Sequence, residues 1–264
     1  MKKKYEAILE TVVETFLQTH EPIGSKTLKE KLPFEIAPAT IRYYFNKMVE
    51  RGELAQLHKS SGRIPTERTM KLYWRKHLKE IEPIVEAMEE LSRISEEEDL
   101  FLLLKPIRPN PLKGVERIGD RYLILVFERD EYVIRYQSQV ESFLRDLVGY
   151  QLEEVKQIAR DVGMISLYSK MRSKNEEEVT AINPESIIRM AGRRSDWGKR
   201  HMRRFLEGEA LEEMEEGLHF DPLLPRGFMA LRTEATIEER PTRLLCIGAI
   251  DHDFTKIFRT SKRR

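Results

Sequence analysis

The chain has 264 residues, enough for two compact domains, each with its own core. Its 46 basic and 45 acidic side chains nearly cancel, so net charge alone argues neither for nor against nucleic acid. The lone Cys246 excludes an intramolecular disulfide framework, no Cys/His cluster has zinc-ligand spacing, and no apolar run reaches membrane-spanning length. The charge is unevenly spread, however. Residues 1–80 hold 16 Lys and Arg against 10 Asp and Glu, about +6, whereas residues 81–264 hold 30 against 35, about −5. A basic first domain on a mildly acidic body is the distribution expected of a module that meets nucleic acid. The Met1-Lys-Lys-Lys-Tyr5 start leads into an amphipathic helix without a signal-peptide core, which predicts a cytoplasmic location.

In chain order, Tyr5, Ile8, Leu9, Val12, Val13, Phe16 and Leu17 fall at helical spacing and predict one long amphipathic helix, ended around His20-Glu-Pro-Ile-Gly24. Ser25 is a good N-cap for a second helix from Lys26 to about Leu32, stopped by Pro33. A third helix starts near Pro38, whose missing N–H suits a first helical turn, and Gly52 closes it. Its apolar stripe is Ile41, Phe45, Met48 and Val49. At 100° per residue the opposite face carries Ala39, Tyr43, Asn46 and Lys47, flanked by Thr40 and Arg42. Such small, aromatic, amide and cationic groups can read base edges and hold phosphates, though the same face is also compatible with plain solvation.

Leu54-Ala-Gln-Leu-His58 and Arg63-Ile64-Pro65 then predict two arms of a hairpin around Lys59-Ser-Ser-Gly62, with Gly62 giving the turn its freedom. Cations and hydroxyls at the tip suit phosphate or minor-groove contact. After three helices, this hairpin reads as the wing of a winged helix-turn-helix. Thr66 caps a further helix through Trp74 toward Ile81, read as a connector.

Ile84, Met88, Leu91 and Ile94 recur at helical spacing, a stripe that serves either core or a dimer seam, and Pro106 to Pro111 reads as a linker. Arg121–Phe127 and Tyr132–Tyr136 predict a hairpin. Val140, Phe143, Leu144, Leu147, Val148, Leu152, Val155 and Ile158 predict one long amphipathic helix. Phe228–Leu231 and Leu244–Ile250 predict strands. Together these make an α+β body. Three domains are expected: 1–80 for the helical and hairpin module, 81–113 as linker and connector, and 114–264 as the regulatory body. Catalytic signals are sparse. His201 sits in a basic surface run, Cys246 in an apolar run, and Asp251-His-Asp253 in a turn without a nucleophile motif, so no enzyme activity and no cofactor are expected.

Three motifs, Gly24-Ser-Lys-Thr-Leu28, Pro38-Ala-Thr-Ile-Arg42 and Ser61-Gly-Arg-Ile-Pro-Thr66, in this order and spacing, resemble the heat-inducible transcription repressors of the HrcA family. Cys246-Ile-Gly-Ala-Ile250 with Asp253-Phe-Thr-Lys-Ile257 is similar to that family's closing strand, turn and helix. The resemblance implies a GAF-like C-terminal domain with an inserted dimerisation segment. It also implies a homodimer on the inverted-repeat CIRCE operator of chaperone operons, held competent by the GroEL chaperonin. The DNA-binding set is then Ser25, Lys26 and Thr27, Ala39, Thr40, Arg42, Tyr43, Asn46 and Lys47, and Lys59, Ser60, Ser61 and Arg63. After Arg42 the family usually has a polar stretch beginning with Asn, whereas here Tyr43-Tyr44-Phe45 follows, and the chain is shorter than the usual member. Two alternatives stay open: a winged-helix regulator switched by a small molecule in its body, and a protein- or RNA-binding use of the same fold.

Overall fold

The computed structural model describes residues 2–58, 61–78, 84–85, 87–173, 179–192, 198–221 and 224–259. The chain divides into two compact units, Met1–Leu104 with Thr180–Arg264 as the first and Lys105–Val179 as the second. The first unit opens with α1 (Lys2–Thr19), α2 (Ser25–Lys31) and α3 (Pro38–Glu50), then the hairpin β1 (Leu54–Ala55) and β2 (Ile64–Pro65), then α4 (Glu67–His77). It continues with β3 (Ile84–Val85), α5 (Met88–Glu97) and β4 (Phe101–Pro106). The second unit holds β5 (Leu112–Ile118), β6 (Tyr122–Phe127), β7 (Glu131–Arg135), α6 (Ser138–Arg145), α7 (Leu152–Asp161) and α8 (Ile165–Ser173). The chain returns to the first unit with β8 (Thr180–Ile182), α9 (Pro184–Gly192), α10 (Gly198–Leu206) and α11 (Glu209–Glu213). It closes with β9 (Gly217–His219), β10 (Phe228–Ile237), β11 (Arg240–Ala249) and α12 (Thr255–Arg259).

The α1 stripe serves two cores. Ile8 and Val12 join Ile23, Leu28, Ile41, Phe45, Met48 and Leu54, which closes the N-terminal module. Val13 and Leu17 instead join Met70, Trp74 and the apolar face of the large sheet. Pro38 is the first residue of α3, and β1 pairs antiparallel with β2, Leu54 opposite Pro65. The backbone of Ile23, in the turn before α2, exchanges two bonds with Arg63 (2.8 and 2.9 Å) and so adds a third short edge to the hairpin.

The large sheet runs β3-β10-β11-β4-β8, with β9 along part of β10. β10 and β11 pair from Phe228↔Ala249 to Ile237↔Arg240. Their turn residues Glu238 and Glu239 both take positive φ, 48° and 64°, the backbone that a two-residue hairpin turn demands. In the second unit β5, β6 and β7 form an antiparallel sheet. Strand alternation puts Val115, Leu123, Leu125, Phe127, Tyr132 and Ile134 on one face, against Leu144, Val155, Leu167 and Met171 of the helices.

Several expectations need correction. Gly24, not Ser25, is the N-cap of α2, and Ser25 is the first helical residue. His20 (φ 53°) makes the turn that ends α1. The hairpin arms shrink to two residues each. Gly62 is required for close approach rather than for freedom, since a Cβ there would come within 2.6 Å of the Pro22 and Ile23 backbone. α4 is more than a connector: Trp74 is fully buried and its Nε1 donates to the Ile250 carbonyl at 2.7 Å.

The segment 81–113, expected as a linker, carries α5 and the strand β4, which lies between β11 and β8 with Phe101–Lys105 buried. The divisions fall instead after Leu104 and after Val179. Ile84 is in a strand, not on the helical stripe that Leu91 and Ile94 bury. The Pro106–Pro111 run is stitched into its unit by Asn110, which bonds Asp130, Gln151 and the Arg129 amide at 2.8–2.9 Å. The long helix after residue 138 is two helices. Gly149 (φ 97°) turns the chain between them, and the Gln151–Glu154 capping box starts α7.

Candidate nucleic-acid interface

α3 separates its residues as its pattern requires. Ile41, Phe45 and Met48 are buried, while Ala39, Thr40, Arg42, Tyr43 and Asn46 are exposed and Lys47 is half-buried. Tyr43 keeps 54% of its surface open, so the face on which a base-reading role depends is available. Lys47 Nζ stands 4.7 Å from the Tyr43 ring centroid, a cation–π pair one helical turn apart. Tyr43 meets Tyr44 edge-on at 5.7 Å and Tyr44 meets Tyr5 of α1 at 6.0 Å. The Tyr5 hydroxyl donates to the Glu53 carboxylate, and Arg51 lies 5.1 Å over the Tyr5 ring. Burial, with the Glu53 carboxylate adding to it, pushes the Tyr5 phenol up to about 12. An unbroken aromatic and ionic chain thus runs from α1 and the β1 entry to the exposed face of α3. Sequence periodicity does not reveal Tyr5 and Tyr44 as supports, because ring-to-ring contact between helices leaves no local spacing signal.

The hairpin contributes the second element. Ser61 Oγ accepts from the His58 amide (2.9 Å) and donates to the His58 carbonyl (2.7 Å). Arg63 is half-buried; its Nη1 donates to the Ser61 carbonyl (3.1 Å) and its Nη2 to Asn46 Oδ1 (3.3 Å). Burial lowers the Arg63 guanidinium from the ordinary arginine range. Lys59 and Ser60 lie outside the described residues. Leu57, 59% exposed on the same hairpin, is a surface apolar group beyond the two-residue strand β1. Ser25, Lys26 and Thr27 occupy the first turn of α2, which shares the module's core through Leu28. The structure therefore brings together Tyr43 with Lys47, and Asn46 with Arg63 and Ser61. Arg42 reaches back only to the Pro38 carbonyl, at 3.4 Å, and leaves its charge outward.

Asp253 and Cys246 have structural explanations, and the His201 side chain lies outside the described residues. Asp253 Oδ1 accepts from the Thr255 amide (3.0 Å) and hydroxyl (2.5 Å) at the start of α12. Cys246 is fully buried in β11, and burial pushes its thiol well up, away from thiolate chemistry. Among the described residues no group of three or more His, Cys, Asp or Glu is placed to hold a metal ion, and no helix is long and apolar enough to cross a membrane.

A family model of the HrcA C-terminal domain matches residues 74–264. Two curated heat-inducible transcription repressors HrcA, from Helicobacter pylori strains J99 and 26695, are 34% and 32% identical over 259 residues. Each alignment covers 97% of this chain and 94% of the relative. A crystal structure of a hypothetical protein matches over 98% of this chain and 94% of its own, with TM-score 0.51 at 18% identity, a likeness of fold alone. An exposed cationic and aromatic helix face, carried on a mixed helix-and-sheet body with these relatives, defines a DNA-binding transcription regulator. Within that class the chain belongs to the HrcA family, and its function is the negative regulation of heat-shock transcription.

Proposed function

We propose that residues 1–80 are a winged helix-turn-helix module, that α3 enters the major groove of an inverted-repeat operator of the CIRCE kind, and that the β1–β2 hairpin is the wing on the flanking backbone. The observation that carries this reading is the exposed row Arg42, Tyr43 and Asn46 on a helix whose other side is core. The contact set is Ser25, Lys26, Thr27, Ala39, Thr40, Arg42, Tyr43, Asn46, Lys47, Lys59, Ser60, Ser61 and Arg63. Phosphate contacts fix the register, and the α3 side chains select sequence. The body carrying the large sheet is GAF-like, a reading supported by family membership, and the protein acts in the cytoplasm.

The working species is a homodimer, since two-fold protein symmetry matches an inverted repeat. Support for pairing through the second unit comes from the outer face of its sheet. Ile118, Tyr122 and Val133 are exposed there, beside half-buried Ile124 and Val126. The GroEL chaperonin keeps the repressor competent, so that unfolded protein, by occupying the chaperonin, relieves repression. A mobility-shift titration of the full chain on upstream DNA of chaperone operons, with and without GroEL, tests this reading. Binding to the inverted repeat with a gain from GroEL is expected; equal affinity for a scrambled duplex rejects it.

A further inference from the structure

We infer that Arg63 sets what Asn46 can read: with the guanidinium on its carbonyl, the Asn46 amide presents N–H donors and selects a base that carries acceptors in the major groove. This rests on the proposed placement of α3 and deepens it by assigning a readout to one residue and a positioning role to another.

The geometry holds Arg63 from several sides. Both backbone bonds of Arg63 go to Ile23 (2.8 and 2.9 Å), and Gly62 before it lies against the Pro22 and Ile23 backbone with no room for a Cβ. Its Cα is therefore fixed relative to the turn that precedes α2. Nη1 is anchored on the Ser61 carbonyl at 3.1 Å, and Ser61 is itself tied to His58. The guanidinium carbon stands 6.0 Å from the centroid of Phe45, a buried ring next to Asn46 in sequence. From that seat Nη2 reaches Asn46 Oδ1 at 3.3 Å. Asn46 is exposed, on the same side of α3 as Arg42 and Tyr43 at i−4 and i−3.

An asparagine side chain carries one acceptor oxygen and a two-donor nitrogen. Bidentate recognition of adenine uses both, the oxygen accepting from N6–H and the nitrogen donating to N7. Here the cation occupies one side of Oδ1 and repels a second donor arriving at it. The same charge polarises the amide and makes Nδ2–H a better donor. What remains suits guanine, with N7 and O6, or thymine, with O4, over adenine, whose single acceptor N7 stands beside an N6–H2 donor left without its partner. Arg63 thus acts through Asn46, beyond the backbone contact that its position in the hairpin suggests from sequence.

The test uses the full chain and duplexes of the inverted-repeat operator in which each base pair of one half-site is replaced in turn. Asn46→Ala, an exposed substitution that the fold tolerates, is expected to flatten discrimination at one base pair by roughly five- to tenfold. Arg63→Ala is expected to move preference at that same base pair toward adenine, and Arg63→Lys to keep the original order. The double variant Asn46→Ala/Arg63→Ala should reproduce the profile of Asn46→Ala alone. If Arg63→Ala weakens every duplex alike, with a smaller salt slope and an unchanged ranking, Arg63 is a phosphate grip and the inference is overturned. Failure of the parent reading looks different: the unaltered chain does not separate operator from scrambled duplex and Arg42→Ala changes nothing, which removes the inference with it.

Discussion

The N-terminal module and the second unit are built alike, helices laid on one face of a small antiparallel sheet or hairpin, yet they leave opposite surfaces uncovered. On α3 the outward groups are a cation, a phenol and an amide, all of which water solvates at little cost. On the β5–β7 sheet the outward groups are Ile118, Tyr122, Ile124, Val126 and Val133, with Glu116, Glu131 and Arg135 among them. Apolar area left in water forfeits about 25 cal/mol per Å², so a contiguous apolar face marks a protein-binding surface, whereas a cationic face fits a polyanion. Composition of the exposed face, rather than fold, separates the two surfaces.

The strongest blow to this contrast removes the module's anchorage. Trp74→Ala deletes a fully buried indole and its bond to Ile250; a loss of about 3–5 kcal/mol is expected in urea titration. Because Val13 and Leu17 share that core, operator binding should disappear at the same denaturant concentration as the body's own unfolding. Separate transitions would mean that the module folds alone.

Next in size is Ile124→Lys, which places a charge in the middle of the uncovered sheet face without touching the core behind it. Sedimentation should show a monomer with a nearly unchanged melting temperature. Operator affinity should fall by roughly a hundredfold as the second half-site ceases to be linked. A dimer of normal affinity would assign pairing to another surface.

Smaller effects belong to the polar face. Arg42→Ala and Lys59→Ala should each weaken binding by several-fold, and the slope of log affinity against log salt should drop by about one for Lys59. Tyr43→Ala should instead reorder operator variants, and an unchanged ranking would remove Tyr43 from base readout. The smallest effect is a pH dependence. Burial alone would raise the Glu10 carboxyl, but Lys76 Nζ at 2.9 Å and His77 beside it outweigh burial and hold it below the ordinary 4.5. A depressed acid contributes stability above its unfolded value and loses it as pH falls through the folded one. The contact between α1 and α4 should therefore weaken only below about pH 4.5. Glu10→Gln should make thermal stability flatter across that range, measured by circular dichroism.

What the residues announce by themselves is local. The stripe of α1, Pro38 opening α3, Thr66 capping α4 and the β6–β7 alternation all act within a few positions, through helix period, missing donors and strand pleat, and all are found where sequence puts them. The exposed row on α3 follows from the same period. Tertiary structure alone decided the rest. Nothing within reach of residue 13 says that Val13 leaves the core of its own helix neighbours for a sheet whose central pair, β10 and β11, comes more than two hundred residues later. A run such as Phe101-Leu-Leu-Leu104 is compatible with helix or strand until β11 and β8 flank it. The Asn46 to Arg63 bond joins groups seventeen positions apart, across a turn whose course no helical or strand period encodes. Short-range geometry is written in the order of side chains; the choice of distant partners is made only when the whole core closes.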